Sequence, residues 1–175
     1  QRRFILTLHA LGGKETTCAV LNRVAQTARE NGYPVQLVLE NSRHKEPGDA
    51  GDSCEAVLGI LAHTADPEWG ICWDFGHYYY NIINCFEGLP GSVPPDEFLR
   101  RVRHTHIHAL FDGRTHFPLG ACDLPLARYC GALKGAGYSG VYNLELGFAR
   151  FYTEMNPYEE LIRSACLLKE ALQDA

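Results

Sequence analysis

The sequence predicts an α/β fold, a parallel sheet wrapped by helices. Two observations carry that prediction and a third locates its site. Apolar runs of strand length alternate strictly with amphipathic segments of helix length along all 175 residues. The strand runs are almost continuously apolar, as in a parallel sheet covered on both faces. Each of the five strands places an ionisable or imidazole side chain at or near its C-terminal end. That is the edge where parallel α/β folds keep their sites.

The elements follow in order. FILTLHALGG, residues 4–13, is a buried strand running into a glycine turn. Residues 15–33 form a helix: Val20, Leu21, Val24 and Ala28 share one face, and Asn31 with Gly32 ends it. Pro34 opens the second strand, VQLVLEN, 35–41. Residues 53–65 are a helix with Ser53 as its N-cap. WGICWDFGH, 69–77, is the third strand, and PPDEFLRRV, 94–102, is a short helix entered through prolines. HTHIHAL, 104–110, is the fourth strand. A helix over 124–138, a fifth strand GVYNLELGF over 140–148 and a closing helix over 157–173 complete the chain. Two polar loops, 41–53 and 78–93, follow strand ends. With no repeat, low-complexity stretch or linker, residues 1–175 read as a single domain.

Composition narrows the function classes. The formal charge of −5 argues against a surface built to coat nucleic acid. Seven cysteines, an odd number without a CxxC pair, fit neither a disulfide framework nor a zinc knuckle. They read mostly as buried free thiols in a reducing compartment. No apolar run reaches transmembrane length and the first residues do not form a signal peptide, so a cytoplasmic protein without membrane contact is expected. The chain opens on Gln1, a few residues before its first strand, as a sequence joined in the middle would.

The strand ends carry the chemistry. They hold His9, Glu40, Asp74 with His77 just beyond, the alternating His104, His106 and His108, and Glu145. A single glutamate at a strand end is ordinarily a cap or a rim ion pair, and a lone strand histidine a satisfied core residue. Four such ends on sequence-distant strands are another matter, because a charged group inside a sheet is costly unless paired or bound to metal. If the ends converge, Glu40, Asp74, one histidine and Glu145 give an O/O/N/O set suited to Mn²⁺, Mg²⁺, Co²⁺ or Zn²⁺. Tyr78, Tyr79 and Tyr80 read equally as a pocket wall or as loop packing, whereas Trp73, Phe75 and Phe117 read as core.

LHALGG, LVLEN, CWDFGH, HTHIHALFDGRTHFPLG and YNLEL, in this order over nearly the whole chain, resemble the xylose isomerase-like TIM-barrel superfamily. That group includes sugar and sugar-phosphate isomerases and epimerases, and endonuclease IV. The resemblance implies a (β/α)8 TIM barrel of which this chain carries strands four to eight, since a full barrel takes about 250 residues. An open five-strand sheet would expose an apolar edge and inner face, so the chain is expected to be an incomplete barrel or to complete itself through another chain, as in a homo-oligomer.

The same resemblance implies Glu40, Asp74, His106 and Glu145 as ligands of one divalent metal ion, with Glu40 and Glu145 also moving the proton. His77, His108, Arg114, His116 and His9 are the expected substrate contacts, with His108 reading alternatively as a hydrogen-bond partner of a group behind the ligands. His77 and His116 occupy places that hold further metal in the endonuclease. His104 lies deepest on its strand and reads as a core residue. The chain also departs from the pattern. Relatives follow the metal histidine with a small polar residue and then aspartate. Here these are His108 and Ala109, with Asp112 as a replacement carboxylate. Arg114 replaces an aspartate of the endonuclease, which disfavours a three-metal cluster and favours an anionic substrate oxygen or phosphate.

The implied function is a metal-dependent sugar or sugar-phosphate isomerase or epimerase working through a metal-stabilised enediolate. Two alternatives stand beside it: an endonuclease IV-like phosphodiesterase on damaged DNA, and a barrel that binds a sugar or polyol without turning it over.

Overall fold

The computed structural model describes residues 3–46, 49–89, 91–153 and 155–175. In chain order the elements begin β1 (Phe4–His9), α1 (Lys14–Glu30), β2 (Val35–Glu40), α2 (Cys54–Leu61), β3 (Gly70–Asp74) and α3 (Phe75–Ile83). There follow α4 (Asp96–Arg101), β4 (Val102–Ile107), β5 (Ala109–Phe111), β6 (Arg114–Phe117), α5 (Leu126–Gly135), β7 (Tyr142–Leu144) and α6 (Pro157–Asp174). Five strands form one parallel sheet in the order β1-β2-β3-β4-β7, and β5 and β6 form a separate antiparallel pair. This is a half-barrel, in keeping with the expected partial TIM barrel.

Alternation along the strands separates the two faces. Leu37, Leu39, Ile71, Trp73 and Ile107 turn outward and pack with Leu21, Val57, Ile60, Phe98, Tyr129 and Leu133 beneath the helices. Trp73 is fully buried, its ring centroid 4.4 Å from Phe75 and 5.1 Å from Tyr129. Tyr78 is buried in the same group, so this member of the tyrosine run packs the core rather than lining a pocket. The opposite face of the sheet carries Glu40, Cys72, Asp74, His104 and His106.

Their phase depends on an irregularity. Ile71 pairs with Val102, but the next residue, Cys72, pairs with His104, leaving Arg103 as an extra residue on β4. Without that bulge Arg103 and Thr105 would share the face of Cys72 and Asp74, because a one-residue slip exchanges the two faces. Gly70 makes the bulge possible: a Cβ there would lie 2.5 Å from Cγ of Arg103.

Three elements differ from the sequence reading. The third strand, expected to reach residue 77, stops at Asp74 and α3 begins at once. The cause is Asp74 itself, whose Oδ1 accepts the His77 N–H at 2.7 Å and caps the helix. The start of the expected loop 78–93 is therefore helical. The fourth strand ends at Ile107, and residues 109–117 fold back as a hairpin across Asp112 and Gly113. Both turn residues have positive φ, 49° and 68°, as a two-residue type I′ turn requires. The fifth strand is only three residues long, although the Glu145 N–H still donates to the Ile107 carbonyl at 3.0 Å.

All seven cysteines are free; Cys18, Cys54, Cys72 and Cys130 are buried. Phe4, Ile5 and Leu6 on β1 are exposed, Phe4 to 72%. Among the described residues no helix is long and apolar enough to cross a membrane.

Candidate metal centre

Register brings the ionisable strand ends into one cluster. His9 pairs with Glu40, Asp74 with His106 and His106 with Asn143, two residues before Glu145. One ligand atom from each of Glu40, Asp74, His106 and Glu145 lies within 4.8 Å of all the others. His106 Nδ1 is 3.1 Å from Oε2 of Glu40 and 3.1 Å from Oε2 of Glu145.

Burial makes this cluster demanding. Glu40 and Asp74 are fully buried. Both Glu40 carboxylate oxygens, Nδ1 of His106 and Oε2 of Glu145 are buried without a well-directed hydrogen bond. Buried carboxylates without partners are strongly unfavourable unless a cation answers them. Three carboxylates and one imidazole offer hard oxygen donors and one borderline nitrogen, which fits a single divalent ion.

The protonation states answer to the same crowding. Burial works against the charge on Asp74, yet His108 and His77 beside it hold its carboxyl well below the usual range. Burial would also lower His106, but the Cys72, Glu145 and Glu40 side chains close beside it outweigh that and raise the imidazole far above its ordinary value. Glu145 is lowered: burial opposes this, and the close approach of His106 prevails. His116 is pushed down to about 4 by burial and then by the neighbouring His108.

The other implied site residues divide. His77 Nδ1 lies 3.1 Å from the Asn41 carbonyl, 3.5 Å from Asp74 and 3.6 Å from Glu40. His9 Nε2 is 3.6 Å from Glu40 on a side chain 59% exposed, the most open approach to the cluster among these histidines. His116 Nδ1 is 3.6 Å from Glu145 Oε2. His108 is fully buried against Asp74, a place that suits the second of its two readings, a partner of a metal ligand, better than direct contact with substrate. His104 is half-buried, with its ring 5.3 Å from that of His106, instead of a fully enclosed core residue. Arg114 is exposed, its guanidinium 4.9 Å above the Phe117 ring and 5.9 Å from Phe111, which keeps its charge on the hairpin. Asp112 is an exposed turn residue of that hairpin.

Two residues escaped the sequence reading. Asn41 grips Asp74 from both sides of its backbone: Oδ1 accepts the Asp74 N–H at 2.8 Å, and Nδ2 donates to the Asp74 carbonyl at 3.1 Å. Its only sequence signal was its place directly after the strand-end glutamate. Cys72 forms a second possible ligand group with Glu40 and His106. Burial pushes its thiol up to about 12, against the influence of His106. The oxygen-rich set brings four ligands together against three for the group with Cys72.

Residues 9–170 match the family described as the xylose isomerase-like TIM barrel. The chain belongs to that family. The protein MJ1188 of Methanocaldococcus jannaschii, itself described as uncharacterized, is 39% identical over 66 residues, covering 35% of this chain and 24% of that protein. Among solved structures, a D-tagatose 3-epimerase-like protein superposes with a TM-score of 0.72 at 18% identity, covering 97% of this chain and 62% of that one. The IolI protein with a bound zinc atom gives 0.65 at 20% identity, covering 97% and 63%. L-ribulose 3-epimerase gives 0.65 at 17% identity, covering 91% and 54%. At such identities the likeness to the three solved structures shows a shared fold, and the chain spans less than two thirds of each.

Proposed function

We propose that this chain carries the metal-binding part of a divalent-metal-dependent sugar or sugar-phosphate isomerase or epimerase. The supporting observation is the O/O/N/O cluster of Glu40, Asp74, His106 and Glu145, drawn from the ends of four strands to within 4.8 Å, with buried oxygens left unpartnered. The names of the tagatose- and ribulose-epimerase neighbours and the zinc of IolI point the same way. In this reading the strands are the last five of an eight-strand barrel, residues 1–175 are one domain, and the protein works in a reducing cytoplasm.

Glu40, Asp74, His106 and Glu145 would hold the ion. Bound there, it would supply Lewis-acid stabilisation of the negative charge that develops on substrate oxygen. Glu40 on β2 and Glu145 beyond β7 flank the cluster from separate strands. One takes the proton from the carbon next to the substrate carbonyl, and the other returns a proton. Asp74 caps α3 and its backbone is gripped by Asn41, so its task is positional. His77 and His9 offer imidazole edges to substrate hydroxyls, His9 from the open side.

The test is a panel of ketoses and ketose phosphates incubated in D₂O with Mn²⁺, Mg²⁺, Co²⁺ or Zn²⁺. Deuterium entering the carbon next to the carbonyl is expected for at least one sugar, only with metal. Binding of a sugar with no exchange under any ion would overturn catalysis in favour of a binding barrel.

A further inference from the structure

His108, the residue that leads into the β5–β6 hairpin, stands directly against the candidate metal centre. It is fully buried, and its Nε2 lies 3.1 Å from Oδ2 of Asp74. On the other side of the ring, Nδ1 accepts the backbone N–H of His116 at 3.1 Å. Nδ1 also lies 3.2 Å from the Ala109 carbonyl. Facing an anionic carboxylate, Nε2 carries a proton and donates it to Asp74. Both ring nitrogens are committed, so His108 has no lone pair to give a second ion, although it lies at ligand distance from His77 and His116.

Two backbone features are shaped around this ring. His116 has φ of 67°, a left-handed conformation rare for a residue with a side chain. It aims the N–H of His116 at His108, while its carbonyl accepts the N–H of Gly147, two residues past Glu145, at 2.8 Å. Arg150 ties the same turn to the hairpin, donating to the Thr115 carbonyl at 2.8 Å. The second feature is Gly76 in the first turn of α3. A Cβ there would fall on Cε1 and Nδ1 of His108 and lie 2.7 Å from its carbonyl oxygen. Only glycine lets the imidazole lie flat against that turn.

We propose that His108 is a positioning residue: it fixes the Asp74 carboxylate as a metal ligand and links it, through the His116 backbone, to the turn that carries Glu145. This rests on the metal-centre reading above and extends it. Partners of this kind, which orient a ligand without touching the ion, typically change metal affinity by about 10–100-fold when removed.

The experiment is a titration of the full chain with Mn²⁺ alone, followed by calorimetry. His108→Ala is expected to weaken Mn²⁺ binding about 10–100-fold with the stoichiometry unchanged. His108→Gln, whose amide can donate to Asp74, should recover most of that loss. Gly76→Ala, which touches no ligand, should weaken binding as His108→Ala does. Should His108→Ala fail to fold, His108→Gln and Gly76→Ala carry the test. Unchanged affinity in His108→Ala or Gly76→Ala would overturn the proposal and leave the metal centre standing. A wild-type chain that binds no Mn²⁺ would overturn both.

Discussion

Glu40, fully buried at the end of β2, places Oε2 3.1 Å from Nδ1 of His106 on β4, across the intervening strand β3. With Glu145 at the same distance on the other side, the imidazole sits between two carboxylates. In the metal-free protein these close carboxylates and the Cys72 thiol raise its affinity for a proton well above that of a free histidine. A metal ion must take the place of that proton.

Metal uptake is therefore expected to release a proton. Apparent affinity should rise with pH through the neutral range, because deprotonation of His106 is part of binding. Calorimetry of Mn²⁺ binding in buffers of different ionisation enthalpy checks this. Equal heats in all buffers, with affinity independent of pH, would show that His106 carries no such proton.

The two glutamates are expected to be indispensable to turnover. Glu145→Gln and Glu40→Gln remove one proton carrier each, and general acid–base catalysis of this kind is worth about 10²–10⁴-fold. Each variant also loses an anionic ligand, so the total loss should be at least that large. Steady-state rates at saturating metal provide the measurement. Undiminished proton exchange in Glu145→Gln would remove it from the mechanism.

A pH signature follows from His116. Its folded value of about 4 lies below the ordinary histidine value of 6.5, so the unfolded chain binds the extra proton first. Its contribution is fully present above pH 6.5 and is lost as the pH falls towards 4. Denaturant unfolding of the metal-free protein should show stability falling over that window, and less steeply in His116→Gln. Below it, the lowered carboxyls of Asp74 and Glu145 take over the loss.

Trp73 tests the outer face of the same strand. It is fully buried among Phe75, Tyr78, Phe98 and Tyr129, on the face of the sheet opposite the ionisable cluster. Trp73→Ala should cost about 3–5 kcal/mol of stability by leaving a cavity. Under conditions where that variant remains folded, its stoichiometry for metal should match the wild type.

Much of this arrangement is legible in the sequence because it rests on local patterns. Apolar runs closing on Glu40, Asp74 and Glu145, separated by glycine and asparagine stops, place the strands and their order. The rest depends on contacts between segments. Nothing local to FGHYYY separates a continuing strand from a helix; the decision lies with Asp74, which serves as cap and candidate ligand together. Asp112 and Gly113 do spell a tight hairpin, but the preceding histidine run reads as strand and carries the reading past Ile107. The Arg103 bulge that phases His104 and His106 leaves no mark of its own, since the room for it comes from Gly70 on the neighbouring strand. Burial of His108 likewise depends on Gly76, far away in sequence.

The number of divalent ions bound per chain bears hardest on this account. Metal-free protein equilibrated with Mn²⁺ or Zn²⁺, then freed of excess and assayed for metal against protein, should hold one ion. X-ray absorption should find oxygen and nitrogen donors, and Asp74→Ala and His106→Ala should abolish binding. No ion at all, or three ions per chain with binding unaffected by those substitutions, would contradict a single centre formed by Glu40, Asp74, His106 and Glu145.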